Sequence, residues 1–301
     1  MRLRLGARGS ALSLAQASLV AKSLAAYAEV EIVSVRTTGD RRSAAGSPIE
    51  WKGDFTKELD EALLAGRIDL AVHSLKDVPS AIPAGLILAA VPEREDPSDV
   101  LIAGPGRRFS DLPAGVRIGT SSPRRKAQLL AARPDLEVSE ARGNVDTRIR
   151  RLEEGRWDAI VLARAGLARL DRLERISEVF EESVLLPAPG QGALAIVARA
   201  SDAPTLDLLD GLNHAASRAE VESERSFLAG LEAGCRAPVA ARARATAEGL
   251  ALVGAVFSPD GSRVLRETSR GSTGEPGPIG RDLAGRLLAA GAADLIAAAR
   301  V

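Results

Sequence analysis

The sequence is poor in the residue types that build disulfide frameworks, metal sites and base-stacking surfaces. Its 301 residues include one cysteine and two histidines, and aromatic residues make up 3% of the chain. The single cysteine, Cys235, excludes an internal disulfide and a cysteine-rich zinc site. So few aromatic side chains disfavour a surface on which the bases of a single-stranded nucleic acid would stack.

A net charge is lacking too, and so are long hydrophobic runs. The 40 basic and 40 acidic residues cancel, which removes the usual argument for a protein that binds nucleic acid or a membrane surface. No apolar run approaches the ~20 residues that cross a bilayer. Ser10, Ser13, Gln16 and Ser18 interrupt the apolar stretch near the N-terminus, unlike the core of an export signal. We therefore expect a soluble, cytoplasmic globular protein of two or three domains, without a metal.

The pattern of apolar residues predicts an α/β protein. Strands are expected at 2–5, 30–36, 68–73, 100–103, 116–119, 136–139, 158–163 and 193–197, and helices at 11–27, 56–65, 123–132, 147–154 and 165–173. Such alternation favours largely parallel sheets with helices on their faces. The last third differs, because helices at 213–230 and 279–290 and a hairpin at Ser258–Gly261 predict a small antiparallel α+β domain.

Two segments rich in polar or turn-forming residues mark the predicted domain boundaries, Glu93–Ser98 and Leu186–Gly192. We expect domain 1 at residues 1–95 and 190–210, domain 2 at 96–189 and domain 3 at 211–301. Domains 1 and 2 would be the two α/β halves of a cleft, and domain 3 contains Cys235.

Cationic side chains follow the predicted strands of both α/β blocks. In open parallel sheets, ligands bind beyond the carboxyl ends of the strands, near helix N-termini. Five loops at such positions carry at least one cation each: Ala7–Ser10, His73–Pro79, Thr120–Arg125, Ala141–Asn144 followed by Arg148, and Ala163–Arg169. Because guanidinium groups stay charged and bind carboxylates through paired hydrogen bonds, the ligand should carry several carboxylates. The glycine spacing matches neither a P-loop nor a dinucleotide fingerprint.

Simpler interpretations stay open for these loops. A single arginine after a strand is usually a solvated loop residue, and helix capping alone explains Thr120–Pro123. His73 closes an apolar strand, which favours a hydrogen-bonded structural histidine over a base. The argument for a ligand site is that all these cations fall at the same end of their strands.

Asp77 and Cys235 differ from their cationic surroundings. A lone carboxylate among cations is suited to stabilising a cationic intermediate or to passing protons, although a salt bridge to Lys76 or an arginine explains Asp77 equally well. A lone cysteine is commonly an inert buried residue. Cys235 lies in a Gly-Cys-Arg turn, where the neighbouring cation favours the thiolate, so it is a credible attachment point or nucleophile.

At these residues the sequence resembles the porphobilinogen deaminases, also called hydroxymethylbilane synthases. The matching motifs are Arg8–Ser10, Lys52-Gly53 with Phe55 and Lys57-Glu58, His73–Pro79, Glu93–Pro97, Gly119–Arg125, Arg142–Val145 with Thr147-Arg148, Leu186–Gly192 and Leu231–Cys235. The His73–Pro79 and Gly119–Arg125 strings are the most specific. The chain departs from the family pattern before Lys52, where it reads Pro48-Ile-Glu-Trp51 instead of a glycine-rich, basic stretch.

The resemblance implies two domains like the halves of periplasmic binding proteins and a third that carries the cofactor cysteine. Cys235 would hold a dipyrromethane through a thioether. Four porphobilinogen units would be joined head to tail with loss of ammonia, and hydroxymethylbilane would be released by hydrolysis. Asp77 corresponds to the family's catalytic aspartate, which would hold pyrrole N–H groups and stabilise the azafulvene cation. The resemblance also implies a monomer.

The same resemblance implies a set of residues that contact the cofactor or the substrate. They are Arg8, Ser10, Lys52, Ser74, Lys76, Thr120, Ser121, Ser122, Arg124, Arg125, Arg142, Gly143, Arg148, Arg169 and Gln191. Each pyrrole unit carries an acetate and a propionate, so a basic set of this kind suits a growing polycarboxylate.

Two other functions fit parts of this sequence. A non-catalytic binding protein for a polycarboxylate anion would share the two-domain architecture, but it gives no reason for the lone cysteine, and it would be unaffected by Cys235→Ser. A nucleic-acid protein using the basic segment 117–151 would bind in a strongly salt-dependent way.

Overall fold

The computed structural model describes residues 1–39, 55–104, 106–233 and 237–299. The chain divides into two compact units, the first made of Met1–Glu95 with Gly192–Arg218 and the second of Asp96–Gln191 with Ala219–Val301. The described residues form two five-stranded sheets and one three-stranded sheet. This confirms the predicted fold class of two α/β domains with a small C-terminal α+β domain. No described helix is long and apolar enough to cross a membrane.

Unit 1 is a sheet covered by helices on both faces. Its elements are β1 (Arg2–Arg8), α1 (Ala11–Leu24), β2 (Glu29–Val35), α2 (Lys57–Leu64), β3 (Leu70–Ser74), β4 (Leu86–Ala90), β10 (Leu194–Arg199), α6 (Ala203–Asp210) and the first residues of α7 (Ala215–Gly230). The strand order is β2-β1-β3-β10-β4. Leu3 and Leu5 of β1 are buried with Val20 of α1, whereas Leu59 of α2 is buried in a second cluster with Ile68.

The sheet of unit 1 is mixed, so the expectation of a largely parallel sheet is wrong. β1 pairs in parallel with β2 and β3, but β10 runs antiparallel to β3 and β4. The reason is that β10 enters the sheet where the chain returns from unit 2, and no helical crossover fixes its direction.

Unit 2 contains a second mixed sheet. Its elements up to residue 191 are β5 (Asp99–Ile102), β6 (Arg117–Gly119), α3 (Pro123–Ala132), β7 (Glu137–Ser139), α4 (Val145–Glu153), β8 (Ala159–Ala163), α5 (Arg164–Arg169) and β9 (Glu178–Val179). The strand order is β7-β6-β8-β5-β9. β6 is parallel to β7 and β8, and β5 is antiparallel to β8 and β9, so the largely parallel expectation is wrong here as well.

The rest of unit 2 is a three-stranded antiparallel meander packed against helices. Its elements are β11 (Val239–Thr246), β12 (Gly249–Phe257), β13 (Val264–Gly271), α8 (Pro276–Ala289) and α9 (Ala292–Ala298). Phe227 of α7, Leu252 and Leu283 are fully buried in its core. The predicted hairpin at Ser258–Gly261 is confirmed as the turn between β12 and β13, where Gly261 has a φ of +75°.

The three-domain division stays a prediction. Ala127 and Leu186 are buried in one cluster with Ala240, Ala255 and Phe257 of the meander. This shared apolar packing is the reason that the second sheet and the meander form one compact unit.

Candidate active site

A polar pocket lies at the carboxyl ends of β1 and β3 in unit 1. Its polar lining is Arg8, Ser10, Ser13, Gln16, His73, Ser74 and Asp77, and Leu12, Phe55 and Val72 complete it. β1 and β3 pair in parallel through Leu5 and Leu70, so their ends lie at the same edge of the sheet. Arg8 and the segment from His73 to Asp77 therefore lie together at one edge of the sheet.

Arg8 and Ser10 are positioned by the start of α1. β1 continues to Arg8 rather than ending at Leu5, and Ser10 then caps the helix by accepting a hydrogen bond from the Ser13 N–H at 3.3 Å. The Arg8 N–H donates to Ser13 Oγ at 3.0 Å. The Arg8 guanidinium carbon lies 4.0 Å from the centre of the Phe55 ring, a cation–π contact that holds the guanidinium over the ring.

Asp77 ends a 3₁₀ turn, Leu75–Asp77, that directly follows β3. Its side chain is half-buried and lines the pocket. Among the described residues, none donates a hydrogen bond to the Asp77 carboxylate or forms an ion pair with it. The carboxylate is thus available to N–H donors of a ligand, and Lys76 precedes it in the same turn.

Ser74 is held by a residue that the sequence analysis missed. Gln16 is buried in the second turn of α1, and its Nε2 donates a hydrogen bond to Ser74 Oγ at 2.8 Å. A glutamine on the same helix face as Ala17 and Val20 was a signal that could have identified it, because that face packs on the sheet.

His73 is 5% exposed. No described residue forms a hydrogen bond with either ring nitrogen, and Nε2 is closed off from water. Burial, followed by the positive charge of Arg8, lowers the pKa of His73 to about 4. The expectation of a hydrogen-bonded structural histidine is therefore wrong, because the buried ring has no such bond among the described residues.

In unit 2, the Ser121 hydroxyl connects two neighbouring loops, and the Thr120 and Ser122 hydroxyls bond within the loop and helix start that follow β6. Ser121 Oγ donates to the Ala141 carbonyl at 2.6 Å, and Thr120 Oγ1 accepts from the Ser122 N–H at 3.2 Å. Ser122 caps α3 by accepting from the Arg125 N–H. The loops after β6 and β7 are thereby brought together, as their parallel pairing requires.

Arg124 and Arg125 are sealed from water and bind one carboxylate, Asp99. Arg124 Nη1 lies 2.6 Å from Asp99 Oδ2, and Arg125 places Nε and Nη2 at 3.0 and 2.8 Å from Asp99 Oδ1. The same two side chains donate to the carbonyls of Leu186 and Val161. The two cations hold the pKa of the Asp99 carboxyl well below its usual range, although burial opposes them. Asp99 was not among the predicted site residues.

Gln191 belongs to this buried cluster. Its Nε2 donates to the Pro97 carbonyl at 2.6 Å and to Asp99 Oδ1 at 2.8 Å. Next to it, the Gly190 N–H donates to the fully buried Glu224 carboxylate at 2.6 Å. Within unit 2, these bonds fix the end of the segment Leu186–Gly192.

The remaining predicted arginines of unit 2 keep part of their surface exposed. Arg142, Arg148 and Arg169 are all half-buried. Arg142 Nε lies 2.6 Å from Glu140 Oε1, and Arg148 Nε donates to the Gly143 carbonyl at 2.7 Å. Gly143 has a φ of +109°, a conformation that favours glycine.

Two predicted site residues, Lys52 and Cys235, lie outside the described residues. The described chain stops at residue 233, after α7, and resumes at residue 237, before β11. No group of three or more His, Cys, Asp or Glu placed to hold a metal ion occurs in the described part of the chain.

Comparison with known proteins gives family models and relatives for nearly the whole chain. Residues 3–207 match the dipyrromethane cofactor-binding domain of porphobilinogen deaminase, and residues 218–289 match its C-terminal domain. Relatives named porphobilinogen deaminase come from Rubrobacter xylanophilus, Desulforudis audaxviator and Thermus thermophilus. They are 52%, 50% and 47% identical, each over 98% of this chain and over 96%, 97% and 98% of their own lengths.

Solved structures of periplasmic binding domains also match at low identity. A periplasmic domain of BvgS from Bordetella pertussis is 18% identical, with a TM-score of 0.42, over 75% of this chain and 92% of its own.

Proposed function

Because this chain belongs to the porphobilinogen deaminase family, we propose that it is a transferase that condenses four porphobilinogen molecules head to tail, with loss of ammonia at each step, and releases hydroxymethylbilane. The observation that carries the proposal is the pocket of unit 1, where a carboxylate without a described partner, Asp77, lies in the same lining as the cation Arg8.

The chain contains the dipyrromethane cofactor-binding domain of the family, and its side chains suit that group. A dipyrromethane has four carboxylates and two pyrrole N–H groups. In unit 2, the half-buried Arg142, Arg148 and Arg169 are guanidinium donors that suit carboxylates. In unit 1, Asp77 is an acceptor that suits N–H donors. When bound, the cofactor supplies the pyrrole carbon to which the first substrate unit is joined. The sulfur of Cys235 is its proposed attachment point.

We assign Asp77 two tasks in the reaction. Its carboxylate accepts the pyrrole N–H of porphobilinogen and so orients the ring. It also stabilises the positive charge that develops on that ring as the amine leaves, since an opposite charge 4 Å away contributes about 4 kcal/mol at an effective dielectric near 20, before desolvation.

Arg8, with Ser10, Ser74 and Lys76 in the same unit, is assigned to the acetate and propionate groups in the pocket. The cation–π contact with Phe55 restricts the Arg8 guanidinium before a ligand arrives, which reduces the entropy lost on binding. Lys52 is assigned to the same groups on the strength of its motif.

In unit 2, Arg142, Arg148 and Arg169 are assigned to direct carboxylate binding, together with Gly143 and the three hydroxyls after β6. Arg124, Arg125 and Gln191 are assigned to the same site, where their bonds to Asp99 hold the start of α3 in place for the ligand-binding loops. We also propose that the protein acts as a monomer in the cytoplasm.

The intact mass of the purified protein, measured before and after porphobilinogen is added, tests the proposal. We expect a starting mass above that of the bare chain by two linked pyrrole units located at Cys235, and a ladder of single-unit additions after mixing. The matched control is Cys235→Ser, which should show the bare mass and no ladder. A wild-type protein that keeps its bare mass even when supplied with substrate and product would contradict the proposal and favour a polycarboxylate-binding protein.

A further inference from the structure

His73 lines the pocket of unit 1 but has no part in the function proposed above. It lies on β3, opposite Ala195 of β10, and only 5% of its surface is exposed. Its Nε2 is closed off from water, and no described residue forms a hydrogen bond with Nε2 or Nδ1. Nδ1 is therefore the ring nitrogen that can meet a molecule in the pocket.

A buried imidazole that forms no hydrogen bond is unusual in a strand. A neutral imidazole has one N–H donor and one acceptor nitrogen, and nearly all buried polar groups in proteins are paired. Ala71, two residues before His73 on the same face of β3, is fully buried in an apolar cluster, so an apolar side chain suits this face. A histidine that lacks a described partner and lines a pocket is best explained by a hydrogen bond that forms when a ligand binds.

The charge of Arg8 indicates which ligand group is involved. Arg8 and burial both disfavour the imidazolium form, so His73 enters the site as a neutral donor and not as a second cation. The group drawn to Arg8 is a carboxylate, and a carboxylate has oxygens to spare for a second donor. The Asp77 carboxylate of the same pocket has no described bond to His73 and serves N–H donors in the proposed reaction.

Resting on the proposed function, we propose that His73 is a substrate-binding residue whose Nδ1–H donates a hydrogen bond to the carboxylate of porphobilinogen that Arg8 binds. Nε2 is then the ring nitrogen that carries no proton. An unpaired buried acceptor is better tolerated than an unpaired buried N–H, so the ligand and the burial favour the same tautomer.

Nitrogen NMR of the holoenzyme with ¹⁵N-labelled histidine rings tests the contact directly. The chain has two histidines, and His214 serves as the internal control because it is exposed and its Nδ1 lies 2.8 Å from Ser217 Oγ. The probe is a pyrrole with the acetate and propionate of porphobilinogen but without the aminomethyl group, so that no turnover occurs. We expect the His73 signals to be those of the Nδ1–H tautomer before the probe is added. The Nδ1 signal should then move as its N–H gains a carboxylate acceptor, while the His214 signals stay in place.

Two substitutions distinguish the effect of the His73 N–H donor from the effect of its side-chain volume. His73→Asn keeps an N–H close to the position of Nδ1, whereas His73→Leu keeps only the bulk. We expect His73→Leu to raise KM for porphobilinogen about tenfold with kcat within about twofold, and His73→Asn to stay within about threefold of wild type in KM.

The outcomes distinguish this proposal from the proposed function. If wild-type holoenzyme turns over porphobilinogen but the His73 signals do not move with the probe, the binding role is wrong and the function stands. Equal KM values for wild type and a folded His73→Leu would also overturn it. If the wild type neither turns over porphobilinogen nor binds the probe, both proposals fail.

Discussion

The Asp99 carboxylate lies 2.6 Å from Nη1 of Arg124, and the two side chains are 0% and 5% exposed. Arg125, 7% exposed, binds the other oxygen of the same carboxylate at 2.8 Å. One carboxylate thus binds two buried cations, and the three side chains connect β5 to the first turn of α3. The helix that follows the Thr120–Ser122 hydroxyls is therefore fixed by an ionic contact beneath the exposed loops.

Asp99→Asn should destabilise the protein strongly. The substitution leaves two buried guanidinium groups without a counter-charge, and breaking a buried ion pair by removing one partner costs about 3–5 kcal/mol. Urea unfolding measures the change. The matched control is Asp158→Asn, which removes a two-bond pair with Arg117 whose side chains are 37% and 46% exposed, and it should cost about 1 kcal/mol or less. Equal losses in both variants would contradict the structural role of Asp99.

The lowered pKa of His73 makes the free energy of unfolding decrease as the pH falls. Its pKa falls from about 6.5 to about 4 on folding, so the unfolded chain takes up the proton first as the pH falls. The stabilising contribution is complete above pH ~6.5 and is lost progressively down to pH ~4, by about 3 kcal/mol in total.

His73→Leu removes this contribution. Between pH 7.5 and 4.5, the free energy of unfolding of the wild type should fall by about 2–3 kcal/mol relative to the variant. Asp60 titrates in the same range with the opposite sign, since burial raises its pKa to about 6, but it is present in both proteins and cancels in the comparison. Parallel pH profiles would contradict a buried neutral imidazole.

Local signals predicted the parts of the site that depend on neighbouring residues. Ser10 before an amphipathic stretch and Ser122 before Pro123 are helix-start signals, and both serines accept a hydrogen bond from a backbone N–H three residues on. The end of β3 in the His73–Asp77 segment was predicted because an apolar strand stops there.

Contacts between residues far apart in the chain were not predictable in this way. Asp99 opens an apolar strand after a polar segment, where an exposed aspartate would be equally common, and its partners lie 25 and 26 residues away. The insertion of β10 between β3 and β4 depends on the chain returning from unit 2, which no local pattern records. For the same reason, Arg124 and Arg125 were predicted to contact the ligand in the same way as the more exposed arginines.

Asp77→Asn should abolish turnover and leave the fold intact. The Asp77 carboxylate is half-buried and has no described partner, so its loss should change the free energy of unfolding by less than about 0.5 kcal/mol. Removing the charge should lower the rate of ammonia release at least about a hundredfold. The matched control is Asp111→Asn, which also alters the last residue of a 3₁₀ turn and should keep wild-type turnover. Wild-type rates in Asp77→Asn would remove this residue from the mechanism.

The arginines of unit 2 should separate into two groups when each is replaced by glutamine. Arg125→Gln should lower the free energy of unfolding by about 3 kcal/mol or more, because it removes two charge-assisted bonds to the buried Asp99 carboxylate and the donor to the Val161 carbonyl. Arg148→Gln alters a half-buried side chain and should cost about 1 kcal/mol or less.

Pyrrole addition, followed by intact mass, should show the reverse order: Arg148→Gln should impair elongation more than Arg125→Gln does. In Arg148→Gln, a carboxylate of the growing chain loses its partner, so a partly elongated enzyme should accumulate and product release should slow about tenfold or more. The folded fraction of Arg125→Gln should elongate with less accumulation. If Arg148→Gln instead unfolded readily and elongated normally, Arg148 would be a structural residue, and the carboxylates would have to be held by Arg142 and Arg169.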